Sequence, residues 1–121
     1  MIDHVDLLVH DLVRSRAFYV AALKPLGYTI IAESETSVSF GIDHLDDFGI
    51  NQSATPTTHA HVAFASPSRE AVDAFYHQAL AAGGRDNVAP RIHPEYHATY
   101  YAAYVYDPDD NNIEAVHHGR S

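Results

Sequence analysis

The chain contains no cysteine, no tryptophan and a single methionine, and only 7 of its 121 residues are Lys or Arg. Without cysteine there are no disulfides, no thiolate nucleophile and no Cys-based zinc site, so any metal must be held by His, Asp or Glu. The basic residues, Arg14, Arg16, Lys24, Arg69, Arg85, Arg91 and Arg120, are scattered among 16 Asp and Glu, for a formal charge of −9. Such a surface repels phosphate backbones, and no nucleic-acid partner is expected. No apolar run approaches the roughly 20 residues that span a bilayer, and the opening MIDHVDLLVHDL lacks the basic start and apolar centre of a signal peptide. No membrane association is expected, and the expected location is cytoplasmic.

What is present is enough apolar material, 46% of residues, to bury the core of one domain spanning residues 1–121. The chain also carries ten His, whose positions decide their meaning. The most informative feature is an internal repeat. Offset by 57 residues, HVDLLVHDLVRSRAFYVAALKPLGY, starting at His4, overlies HVAFASPSREAVDAFYHQALAAGGR, starting at His61, without a gap. Eight positions are identical, including His4 with His61, Phe18 with Phe75, Tyr19 with Tyr76, and Gly27 with Gly84. Two copies at this period imply two similar modules paired about a pseudo-two-fold axis, since a solenoid needs at least three repeats.

Each module opens with a short apolar run suited to a buried strand, residues 2–9 and 60–65, followed by a helical pattern. Asp11 is the expected cap of the first helix, which Pro25 and Gly27 end. Ser66 is the expected cap of the second, with Pro67 at its first position and Gly83-Gly84 at its end. Strands are expected over residues 28–33, 37–42 and 47–52, with a polar loop at 43–46. In the second module they are expected over residues 97–106 and 113–117. Pro90 and Pro94 make residues 86–96 read as loop, although the first module suggests a short strand there. The expected architecture is α+β, a βαβββ unit written twice: module one at 1–52, the linker SATPTT at 53–58, and module two at 59–118.

The openings IDHVDLLVHDLVRSRAFY and HAHVAFASPSREAVDAFY, with the closing VYDPDDNNIEAV, resemble the vicinal oxygen chelate superfamily, which includes glyoxalase I, bleomycin-resistance proteins, fosfomycin-resistance enzymes and extradiol dioxygenases. The resemblance implies paired modules curling into a cup of mostly antiparallel sheet. Metal ligands come from the first and last strands of each module. Carried over, these are His4, His61 and Glu114, with the fourth position falling at Gly49, which has no side chain to offer. A register shift of two would bring Asn51 there instead, as a weaker amide ligand or a substrate contact. The implied cofactor is a divalent metal, Fe, Mn, Ni or Zn, and the implied assembly is a homodimer.

The same residues stand out without the family. The repeat sets His4 and His61 in equivalent places, and Glu114 lies in an apolar strand where an unpaired carboxylate is costly. Two His and one carboxylate form the facial-triad set of Fe(II). The alternative is that the two His are hydrogen-bonded and Glu114 faces water. Glu114 is also the candidate acid or base, together with His97. Tyr96, His97 and Tyr101, in and after the Pro-interrupted segment IHPEYHATYY, are candidate ligand-facing groups, with a Tyr-rich packing surface as the alternative.

With Gly49 at the fourth position, standard glyoxalase I chemistry is disfavoured, and an anionic fosfomycin-like substrate lacks Lys or Arg partners. The favoured expectation is a metal-dependent enzyme acting on a small molecule that chelates through vicinal oxygens. The rival is a non-catalytic protein of the bleomycin-resistance type that sequesters a bulky cation, with which the acidic charge is consistent.

Overall fold

A computed structural model describes residues 1–119. Module one runs β1 (Val5–Val9), α1 (Leu12–Leu23), a 3₁₀ turn (Lys24–Leu26), β2 (Thr29–Glu33), β3 (Ser37–Ile42) and β4 (Leu45–Gln52). Module two runs β5 (His61–Ala65), α2 (Arg69–Ala81), β6 (Arg85–Ile92), β7 (Tyr101–Tyr106) and β8 (Asn112–His117). The strand orders are β1-β4-β3-β2 and β5-β8-β7-β6, the same topology twice. In each sheet the first and last strands of the module pair in parallel and the rest pair antiparallel, so both sheets are mixed. The expected α+β architecture of two βαβββ modules is therefore present. Among the described residues no helix is long and apolar enough to cross a membrane.

Alternation along the strands sets the two faces of each sheet. Leu7 and Val9 of β1, with Phe48 and Ile50 of β4, are buried in one core with Phe18, Tyr19, Ala22 and Leu23 of α1. That core continues into module two through Phe64, Val72, Phe75, Ala103, Val105, Ile113 and Ala115. Phe48 and Phe64 meet edge to face at 5.1 Å across the modules, so the two units share one hydrophobic interior.

Local signals account for most boundaries. Asp11 caps α1, its carboxylate accepting from the Arg14 backbone N–H. Gly27, at φ +93°, closes the 3₁₀ turn in the left-handed region that favours glycine. Strand β1 begins at Val5, three residues later than the run 2–9 suggests, so His4 precedes it, and several other boundaries also differ from expectation. Helix α2 is capped by Ser68, whose hydroxyl accepts from Ala71 N–H, while Ser66 donates its hydroxyl to the Ser68 carbonyl. Strand β4 starts at Leu45, because Asp43 and His44 both take positive φ and make the two-residue turn of a tight hairpin. Residues 85–92 form an eight-residue strand instead of a loop. β6 is an edge strand with register breaks either side of Val88, and both features accommodate Pro90. The stretch 97–100 lies outside β7, which begins at Tyr101.

Candidate functional site

The face of module two turned away from the helices carries an unusual set of groups. Glu114 is the central residue of β8 on that face and is only 1% exposed. It stands opposite Ala63 of β5 and Tyr104 of β7 in the strand register. One carboxylate oxygen lies 2.8 Å from His61 Nε2, and the other accepts a short hydrogen bond from the Tyr100 hydroxyl. His61 is half exposed, so the buried acid reaches solvent through an imidazole.

Aromatic rings wall the pair. His61 and Tyr104 have ring centres 6.0 Å apart, and His93, buried at 2% exposure, sits 5.4 Å from Tyr104 and 6.0 Å from Tyr100. Tyr96, which is exposed, lies 4.8 Å from Tyr100 and stacks on His93 at 6.0 Å. Burial and the nearby Glu114 carboxylate push the Tyr100 phenol up to about 12. Burial, then Glu114, raises Tyr104 as well. Both phenols therefore remain protonated donors at neutral pH.

The first module presents the matching face more openly. His4 Nδ1 is 2.9 Å from Asp3 Oδ1, and its Nε2 is 3.9 Å from Asp6 Oδ2. The hydrogen bond to Asp3, and then the charge of Asp6, raise the His4 pKa above its ordinary value. Gly49 of β4 is the register partner of Asp6, as Glu114 is of Ala63, so Gly49 does occupy the rung equivalent to Glu114. Asn51 lies two residues further on and shares a polar recess of about 260 Å³ with Asp6 and Gly49.

A larger cleft, about 580 Å³, opens between edge strands β1 and β5, with Asp3, Val5 and Leu7 on one side and His61, Val62 and Phe64 on the other. Of the residues singled out from sequence, His61 and Glu114 meet, while His4 pairs with Asp3 and Asp6. Among the described residues no group of three His, Asp or Glu within the chain could hold a metal ion. His97 lies beside this arrangement, 2.9 Å from His118 Nδ1 through its Nε2, with its ring 5.3 Å from Tyr100. Tyr101 is on the helix side, donating to Asp73 of α2 at 2.6 Å beneath the Arg69 guanidinium.

The phenols beside Glu114 are thus Tyr100 and Tyr104, which sequence reasoning passed over. Tyr104 could have been found by pairing the apolar strands about Glu114 and counting in twos along β7. The donor chemistry of His61 and Glu114 fits a divalent cation: two ligands of one ion, each about 2.0 to 2.2 Å from it, stand roughly 3 Å apart. The observed 2.8 Å is close to that spacing.

The Glyoxalase/Bleomycin resistance protein/Dioxygenase superfamily matches residues 1–115. A glyoxalase/bleomycin resistance protein from Albidiferax ferrireducens T118 is 32% identical, with 95% of this chain and 96% of that one covered and a TM-score of 0.82. A glyoxalase/bleomycin resistance protein/dioxygenase family enzyme from Burkholderia phytofirmans PsJN is 23% identical over 97% and 98% of the two chains, with a TM-score of 0.74. A mutant of the fosfomycin resistance protein FosX from Listeria monocytogenes, complexed with Mn(II) and 1S,2S-dihydroxypropylphosphonic acid, is 24% identical over 96% and 88%, with a TM-score of 0.68. No curated protein matches. With a family match over nearly the whole chain and a repeated βαβββ topology, this protein belongs to the glyoxalase/bleomycin resistance protein/dioxygenase superfamily.

Proposed function

We propose that the protein is a metal-dependent enzyme acting on a small substrate that chelates through vicinal oxygens. In this reading its centre is built from His61 and Glu114 of one copy and His4 of a second. The observation that carries the proposal is Glu114, a carboxylate 1% exposed in an apolar strand with an imidazole nitrogen at ligand spacing. A buried carboxylate needs a cationic or hydrogen-bonding partner. Tyr100 satisfies one oxygen and leaves the other directed at His61. His4 and His61 are both about half exposed or more, and each is accessible to a second copy.

A bound Fe, Mn, Ni or Zn ion would supply a Lewis acid that polarises a substrate oxygen. The protein's own groups supply the rest. Glu114 and His61 would hold the ion, beside a wall of aromatic rings. Tyr100 orients that carboxylate through its hydroxyl, and Tyr104 and Tyr96 present ring faces and phenol donors to a small ligand. His97, beside Tyr100, is a candidate to exchange a proton with solvent. Sequestration of a bulky cation without catalysis is the second reading, favoured by the Tyr96, Tyr100 and Tyr104 wall and by the net charge of −9.

The test is metal content and Mn(II), Fe(II), Ni(II) and Zn(II) titration of untagged protein. Wild type is expected to hold one ion per site, and His61→Ala and Glu114→Gln are expected to lose it while keeping the far-UV spectrum. Mixing equal amounts of His4→Ala and His61→Ala copies should restore roughly a quarter of the wild-type binding, because about half of the dimers are then mixed and each of those has one complete centre of two. Absence of binding by wild type overturns the metal reading and leaves sequestration.

A further inference from the structure

The two modules distribute their acids in opposite ways. In module two, Ala63 on the first strand faces Glu114 on the last; in module one, at the rung given by the 57-residue repeat, Asp6 on the first strand faces Gly49 on the last. Each rung thus holds one carboxylate and one residue with little or no side chain. Each also has a His two positions before its first-strand residue, His61 at the start of β5 or His4 just ahead of β1.

The spatial fit is closer than the register alone implies. A Cβ placed on Gly49 would lie 2.4 Å from Asp6 Oδ1, so the Asp6 carboxylate already fills the place a side chain at residue 49 would use. Its other oxygen lies 3.9 Å from His4 Nε2. The opposite ring nitrogen of His4 is hydrogen-bonded to Asp3, an arrangement that fixes an imidazole's orientation and leaves Nε2 to face the ligand side. Asp6 is half exposed and pairs with His4, and the recess it borders is polar, lined also by Asn51, Ser37 and Ser39.

We propose that Asp6 is the module-one carboxylate of the centre, serving where Gly49 has no side chain. The donor set becomes His4 and Asp6 from module one of one copy with His61 and Glu114 from module two of a second, two imidazoles and two carboxylates. The acid has moved across the strand pair instead of being lost. This rests on the metal reading of the preceding section, and it extends that reading from three ligands to four.

The exchange makes a specific prediction about swapping the acid back. Asp6→Ala is expected to weaken Mn(II) binding by roughly 10-fold or more, the scale on which metal-site partners act. Gly49→Glu alone should not tighten binding, because its Cβ meets the Asp6 carboxylate. The double variant Asp6→Ala/Gly49→Glu should recover most of the loss, since it empties that space and returns a carboxylate to β4. The readouts are calorimetric titration of metal-free full-length protein with Mn(II) and the Mn(II) EPR spectrum, with far-UV circular dichroism to confirm folding. If wild type binds Mn(II) and Asp6→Ala binds it equally well, or if the double variant is no better than Asp6→Ala, the assignment of Asp6 fails while the three-ligand reading stands. If wild type binds none of the four metals, both fail together.

Discussion

Tyr19 of α1 donates a 2.5 Å hydrogen bond to Asp107, which lies 88 residues away in the turn before β8. Both are buried, at 0% and 2% exposure, and the bond ties the helix of one module to the turn of the other. Asp107 also accepts from the backbone N–H groups of Asp109 and Asn111 and from the Asn111 side-chain amide, so one carboxylate organises the whole segment DPDDN. Burial and the adjacent Asp107 raise the Tyr19 pKa well above its ordinary value, and the phenol stays a donor.

Removing either partner has separable consequences. Tyr19→Phe deletes one hydrogen bond to a charged group and should cost about 1.5 to 3 kcal/mol in urea unfolding. Asp107→Ala strands several donors in the interior and should cost more, about 3 kcal/mol or above. A Tyr19→Phe cost near zero would show that the bond is not made in solution.

Gly27 and Gly84, aligned by the repeat, are required for different reasons. Gly27 sits at φ +93° with its nearest neighbour, Ile42 Cδ1, 3.7 Å from an added Cβ; its requirement is conformational. Gly84 carries no such φ, but an added Cβ would lie 2.6 Å from both Phe18 and Val105 side-chain carbons and 2.9 Å from the Ala79 carbonyl. Gly27→Ala should cost about 1 to 2 kcal/mol, and Gly27→Asn should recover part of it, because Asn tolerates the left-handed region. Gly84→Ala should cost about 1 to 3 kcal/mol from overpacking, with Gly84→Asn worse still. Equal rank orders at the two sites would refute the distinction.

Asp109 supplies a pH dependence. Burial, as the largest cause, raises its pKa above 3.8, although it accepts from the His10 backbone N–H at 3.2 Å. As pH rises from the unfolded-state pKa toward the folded one, the unfolded chain releases its proton first, and stability falls. Above the folded pKa the penalty is complete. Asp109→Asn keeps an acceptor for His10 and removes the charge. Its stability relative to wild type should therefore increase from pH 3 to pH 7, as read by denaturant unfolding at each pH. A constant difference would mean that Asp109 titrates alike in both states.

Much of this was legible in the residues because it depends on local or repeated pattern. The ungapped repeat announced two modules, Asp11 and Gly27 marked the limits of the first helix, and the apolar setting of Glu114 singled it out. The family resemblance, setting Phe48-Gly49-Ile50 against Ile113-Glu114-Ala115, also placed Gly49 on the rung equivalent to Glu114. Other features belong to the tertiary structure. Pro90 reads as a loop signal until β6 is known to be an edge strand, and edge position is a property of the whole sheet. Tyr100 and Tyr101 are adjacent in sequence, yet one bonds Glu114 and the other bonds Asp73 of α2. Neighbouring residues at a strand start point to opposite faces, and only the pairing tells which face is which. The place of Asp6 over Gly49 was hidden for the same reason: 43 residues separate them, and only the parallel pairing of β1 with β4 sets the carboxylate above the missing side chain.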